Sequence, residues 1–256
     1  MRRACLAGIA HDATTHAGLW LDKYIEGGEF DAPRKAALIQ ELARTAVPAG
    51  YADFVQSLRR DADALMDSGS GLSARATVAG RMVVGLGAKG VVEAGIRLDH
   101  TWGVPVIPGS ALKGLAASTA HLLVADPGWR KPGDGEVRAP TAFDALFGTT
   151  DEQGAVAFHD AYWIPEGRTL PIHPDVMTVH HPDYYQGDEP TAPSDFDSPT
   201  PIPFASVTGS FLVVLEGPPE RCDEALQLLE HGLRCVGGGA KTSTGYGRMR
   251  VQRLET

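Results

Sequence analysis

Residues 237–248 read Gly-Gly-Gly-Ala-Lys-Thr-Ser-Thr-Gly-Tyr-Gly-Arg, with five glycines, three aliphatic hydroxyls and two cations and no acid among them. Glycine lets a backbone approach a ligand closely and take positive φ. Exposed N–H groups, hydroxyls and Lys or Arg together suit phosphate oxygens. Gly237, Gly238, Gly239, Lys241, Thr242, Ser243 and Arg248 are therefore candidate anion contacts, and a β-branched residue at Gly238 is expected to block the approach and penalise positive φ. A nucleotide-binding P-loop is excluded, because Ala240 stands where that motif needs Gly before its Lys. The order is also inverted, with a helical segment before the loop and a strand after it. A turn that merely ends a helix explains two or three glycines, not the whole run.

A second candidate follows Val104-Pro-Val-Ile-Pro108, where Gly109 turns the chain and Ser110 suits the N-cap of a helix running to about residue 124. Lys113 in the first turn opposes the helix dipole unless an anion sits at that start. An ordinary solvated lysine is the plainer reading of this segment alone.

Four histidines, His159, His173, His180 and His181, with Asp160, Asp175 and Tyr184 nearby in sequence, raise the question of RNA cleavage. General acid–base chemistry needs a His within hydrogen-bond reach of the reacting oxygens, and spacing does not set that geometry. His159 reads as a core residue of a strand, and His180-His181-Pro182 as a contact surface. His173, Asp175, His180 and His181 match no established metal-ligand spacing. No catalytic residue and no metal site is assigned.

The elements that must carry these residues begin with three helical segments, at 15–25, 32–46 and from Gly50, the last with Phe54, Val55, Leu58, Ala62 and Leu65 on one stripe. Pro33 suits a first turn. Residues 67–71 break the third helix, and from Ala74 the chain turns β-rich, with a strand over 78–84, a second glycine loop at 85–90 and a returning strand at 91–98. Strands follow at 155–164 and 207–216, then an amphipathic helix at 220–233, the glycine loop and a last strand from Tyr246. Eight of the 18 prolines lie between Pro171 and Pro203, so 165–203 is expected to be a long irregular insertion. The βαβ–βαβ order predicts an α+β, ferredoxin-like (RRM-like) core over 74–256, with a helical extension at 1–73.

Composition sets limits on partners. At 256 residues and 43% hydrophobic the chain can bury a full core, and no run approaches the ~20 apolar residues of a membrane span. The apolar run after Met1-Arg-Arg meets His11-Asp12 too early for a secretory segment. Cys5, Cys222 and Cys235 make no zinc spacing and suit buried thiols in a reducing cytosol. The net charge of −9 weighs against nucleic acid, but it is unevenly spread. Residues 171–200 carry six acids and no Lys or Arg, whereas 231–253 carry Arg234, Lys241, Arg248, Arg250 and Arg253 and no acid. Screening over ~8–10 Å lets a local basic face act inside an acidic protein.

Four stretches now carry a resemblance: Val106-Ile-Pro-Gly-Ser-Ala-Leu-Lys-Gly, Asp175-Val-Met-Thr-Val-His-His-Pro-Asp-Tyr-Tyr, Pro201-Ile-Pro-Phe and the 237–248 loop. Together they resemble the RAMP superfamily of CRISPR proteins, and within it the sixth-subunit family of type III-B Cmr effector complexes. The first and last stretches are shared across RAMP proteins, and the second points to the narrower family. Ala111 and Val179 depart from it, where a second serine and a proline are usual. The resemblance covers residues 15–249 and implies a non-catalytic, cytoplasmic RNA-binding subunit without a cofactor. Such a subunit holds the 3′ part of the guide RNA (crRNA), meets target RNA and abuts other Cmr RAMP subunits. By position, the 237–248 residues named above form its RNA-facing loop, Gly109, Ser110 and Lys113 a second phosphate contact, and 171–203 an arm. The alternatives are a metal-independent endoribonuclease using His180 or His181, and a pure protein scaffold.

Overall fold

A computed structural model describes residues 8–25, 31–87, 95–133, 139–181, 184 and 192–255. The chain opens with helices α1 (Ala17–Asp22), α2 (Ala32–Arg44) and α3 (Tyr51–Asp67). Asp31 caps α2 by accepting from the Arg34 N–H, and Pro33 sits in its first turn, where a missing N–H leaves no bond unmade. The buried faces are Leu38, Ile39 and Leu42 on α2, and Tyr51, Val55 and Ala62 on α3.

The strands and remaining helices are β1 (Gly71–Val78), β2 (Val106–Ile107), α4 (Gly109–Leu123), α5 (Ala142–Phe147), β3 (Ala157–Phe158), β4 (Ala161–Ile164), β5 (Ile172–Val179), β6 (Thr200–Val207), β7 (Ser210–Glu216), α6 (Pro219–Cys235) and β8 (Met249–Arg253). One sheet runs β2-β4-β7-β1-β8, with every neighbouring pair antiparallel and β3 also on β7. Leu72, Ala74 and Ala76 of β1 pair with Leu215, Val213 and Phe211 of β7, and all six side chains are buried in one core. Helices α4 and α6 pack side by side, and a Cβ at Gly232 would meet the Thr119 hydroxyl at 2.4 Å, so glycine sets their approach. The same core takes in α1, α2 and α3, through residues from Ala17 to Val55.

Several expectations are corrected. Residues 165–203 are not irregular throughout, because β5 and β6 form a separate two-stranded ribbon paired from Ile172↔Val207 to Val179↔Thr200. Pro174, Pro201 and Pro203 fall in the pairs with Ala205, Thr178 and Val176. These are alternate pairs of one hydrogen-bonding class, so all three missing N–H groups belong to the side facing away from the ladder. Helix α2 packs on this ribbon. The expected strand at 207–216 is divided at Gly209 (φ 100°), and 155–164 is divided between Phe158 and Ala161. The strand expected at 78–84 ends at Val78, leaving the bridge Met82↔Val207. The loop expected at 85–90 and the strand at 91–98 fall partly outside the described residues. Cys222 is buried with its thiol pushed up to about 11 by burial, whereas Cys235 is exposed. Among the described residues no helix is long and apolar enough to cross a membrane.

Candidate nucleic-acid interface

The glycine loop joins α6 to β8 as a wound turn in which Gly237, Gly239, Gly245 and Gly247 have positive φ. Three of them also permit close backbone approach: a Cβ on Gly237 would meet the Tyr246 carbonyl at 2.8 Å, one on Gly239 the Val83 carbonyl at 2.1 Å, and one on Gly247 the Gly238 carbonyl at 1.9 Å. Gly238 corrects the sequence expectation, since its φ is not positive and its nearest neighbour is the Leu233 side chain at 3.2 Å. The amides of Gly238, Ala240 and Gly247 donate to Gly247, Val83 and Arg81 carbonyls at 2.8 Å each. The amides of Gly239, Lys241, Thr242 and Ser243 donate to nothing among the described residues. Lys241 is left-handed at φ 58° and leads into a 3-10 turn at Thr242–Thr244, so its amide and the next two are successive and unpaired. Such a run of N–H groups is a concave donor for an anion.

The ribbon flanks this loop. The Lys241 ammonium touches the Met177 sulfur and lies 5.5 Å from the Phe204 ring centroid. The Tyr246 hydroxyl donates to the Asp175 carboxylate at 2.9 Å, and its ring meets Phe204 edge-on at 5.9 Å. Burial first, then the Asp175 hydrogen bond, raises the Tyr246 phenol above its ordinary pKa, so it stays a proton donor. Lys241 has no carboxylate partner among the described residues. Arg248 is half-buried, and among the described residues its Nη1 is enclosed without a hydrogen-bond partner. An enclosed guanidinium nitrogen without an acceptor is uncommon.

Sequence reading missed Arg81, read only as part of a strand. Its carbonyl accepts from Gly247, and its guanidinium reaches toward the Ser206 hydroxyl at 3.5 Å. No spacing rule ties residue 81 to a loop some 160 positions later, only the ladder does.

Gly109, Ser110 and Lys113 lie elsewhere. Pro108 is the N-cap of α4, so Ser110 is the second helical residue and not the cap. The Gly109 N–H donates to the Asp160 carboxylate at 2.7 Å, and a Cβ there would meet the Phe158 carbonyl at 2.0 Å. Asp160 adjoins His159, whose N–H donates to Val214, while the glycine loop sits where Val78 donates to Gly209. Five β7 residues separate those levels, roughly 16 Å at ~3.3 Å per residue. The structure gathers the 237–248 residues, and among the described residues no hydrogen bond joins them to Gly109, Ser110 or Lys113.

The histidines are dispersed. His159 is exposed between β3 and β4, not a core residue as the sequence suggested, and pairs with Glu216 at 2.9 Å, while His173 pairs with the Thr208 hydroxyl at 2.8 Å and His181 with Asp197 at 2.8 Å. Burial, with a further contribution from Arg81, lowers the His173 pKa. Among the described residues no three His, Cys, Asp or Glu side chains group as a metal site.

Comparison with known proteins places these features. CRISPR system Cmr subunit Cmr6 of Pyrococcus furiosus is 33% identical over 222 aligned positions, which take in 66% of this chain and 64% of that protein. The chain thus spans under two thirds of that relative's length. A chain in the cryo-EM structure of the type III-B Cmr-beta bound to cognate target RNA has the same fold, with a TM-score of 0.63, 20% identity and coverage of 86% of this chain and 72% of its own. The crystal structure of Cmr6 from Pyrococcus furiosus gives a TM-score of 0.43 at 31% identity, covering 70% and 97%. The RAMP superfamily model matches residues 75–250, from β1 through the glycine loop to β8, and the chain belongs to that superfamily.

Proposed function

We propose that this chain is a non-catalytic RNA-binding structural subunit of a type III-B CRISPR Cmr ribonucleoprotein, holding the 3′ part of the guide RNA and contacting neighbouring Cmr RAMP subunits and target RNA in the cytoplasm. One observation carries the reading: among the described residues the loop amides of Lys241, Thr242 and Ser243 are unpaired beside a Lys241 ammonium that no carboxylate neutralises. Donors of this kind read the RNA backbone and not base edges, which suits a subunit that accepts any guide sequence. The similarity to a Cmr6 protein and to a Cmr-beta chain supports the same assignment. The order β1-α4-β4-β7-α6-β8, with spatial order β4-β7-β1-β8, supports a ferredoxin-like core as its frame.

The test is a filter-binding titration with single-stranded RNA across a salt series. Affinity is expected to fall steeply with salt, because each phosphate contact releases counterions. Flat affinity would remove the loop as the contact surface. A second reading, metal-independent cleavage by His180 or His181, has in its favour the Asp197 carboxylate that orients the His181 ring. Incubation of repeat-containing RNA with EDTA decides between them, since discrete products arise only from the enzyme.

A further inference from the structure

Among the described residues Asp175 is the acidic one that enters the glycine loop's contacts, and its two oxygens are both engaged. Oδ1 accepts from the Val176 N–H at 2.9 Å, and Oδ2 accepts from the Tyr246 hydroxyl at 2.9 Å. Two residues along β5, Met177 touches the Lys241 ammonium. Alternate residues of a strand share a face about 7 Å apart. A four-carbon lysine stem covers such a gap by changing rotamer, so Asp175 is within reach as an ion-pair partner. The pair is nevertheless not made: the ammonium rests between a thioether and an aromatic face, neither of which carries charge.

We infer that Tyr246 is a positioning residue, whose hydroxyl holds the Asp175 carboxylate off Lys241 and so keeps the ammonium unneutralised for an RNA phosphate. Met177 and Phe204 complete the arrangement by holding the ammonium through weak, charge-preserving contacts. This rests on the RNA-binding reading above and adds to it the residue that keeps the loop's charge available.

The experiment compares four variants of the full chain, each with a thermal melt, for binding to a short single-stranded RNA at two salt concentrations. Tyr246→Phe keeps the ring against Phe204 and loses only the hydroxyl, freeing Asp175 to pair with Lys241. It is expected to weaken binding several-fold and to flatten the salt slope by ~0.7, the value of one single-strand phosphate contact. Tyr246→Phe with Asp175→Asn is expected to recover both, and Asp175→Asn alone to bind at least as tightly as the native chain. Wild-type affinity in Tyr246→Phe, failure of Asp175→Asn to rescue it, or weakened binding by Asp175→Asn alone would each overturn the inference. Lys241→Ala separates the two levels. If it binds like the native chain, the loop is not the RNA contact. If it binds weakly while Tyr246→Phe does not, the contact stands and the role given to Tyr246 falls.

Discussion

The Gly109 N–H donates to the Asp160 carboxylate at 2.7 Å, so the start of α4 already holds an anion from its own chain. An acceptor at a helix start offsets both the orphan N–H and the dipole. Asp160→Ala is expected to destabilise the fold by about 1 kcal/mol, near the low end for a charged acceptor because Asp160 is exposed. A thermal melt should then fall by ~2–4 °C. RNA affinity should hold or rise, since a carboxylate at the start of the helix that carries Lys113 is removed.

Lys113 and Lys241 should separate by RNA length. The start of α4 and the glycine loop meet β7 about five residues apart, roughly 16 Å at ~3.3 Å per residue, so a short oligonucleotide is expected to bridge the two less readily than a long one. With about four nucleotides, Lys241→Ala should weaken binding several-fold and Lys113→Ala not at all; with about fifteen, both should weaken it. No Lys113→Ala effect at either length would leave Lys113 as a solvated side chain.

The glycines of the loop should not behave alike. Gly239→Ala places a Cβ 2.1 Å from the Val83 carbonyl at φ 85°, which the backbone cannot accommodate without moving. Gly245→Ala has nothing within 4 Å and carries only the positive-φ penalty, about 1 kcal/mol. Denaturant titration should show the first variant losing several times as much stability as the second. Equal losses would mean that the loop does not seat on Val83.

Acid should weaken the ribbon through His173. Its folded pKa is lowered by burial and Arg81, so below the unfolded value of ~6.5 the unfolded chain binds the extra proton more readily. The contribution is present above ~6.5 and is lost as pH falls below it. Denaturation midpoints measured from about pH 7.5 to about pH 5.5 should drop in the native chain and less so in His173→Gln, which keeps a donor to Thr208. Parallel curves would exclude His173 as the source.

Local physics was legible in the residue order. The α3 stripe at Val55 and Ala62, Pro33 at the start of α2, the amphipathic α6 and the glycine run before β8 all follow from short-range periodicity, φ limits and the absence of Cβ. The run of donors at 241–243 was readable because acids are missing from that stretch itself. What the tertiary structure decided depends on partners distant in sequence. Within the proline-rich 171–203 segment, Pro174, Pro201 and Pro203 fit the β5–β6 ribbon because they share one register class, and register exists only once two strands meet. Ser110 loses the cap position because Asp160, 50 residues on, reaches the amide before it. Arg81, Asp175 and Phe204 join the site by bonds and ring contacts that span 42 to 166 residues of chain, counted to Tyr246 and Gly247. Composition carries no trace of such pairings, because they arise only when folding brings the two ends of the fold against one another.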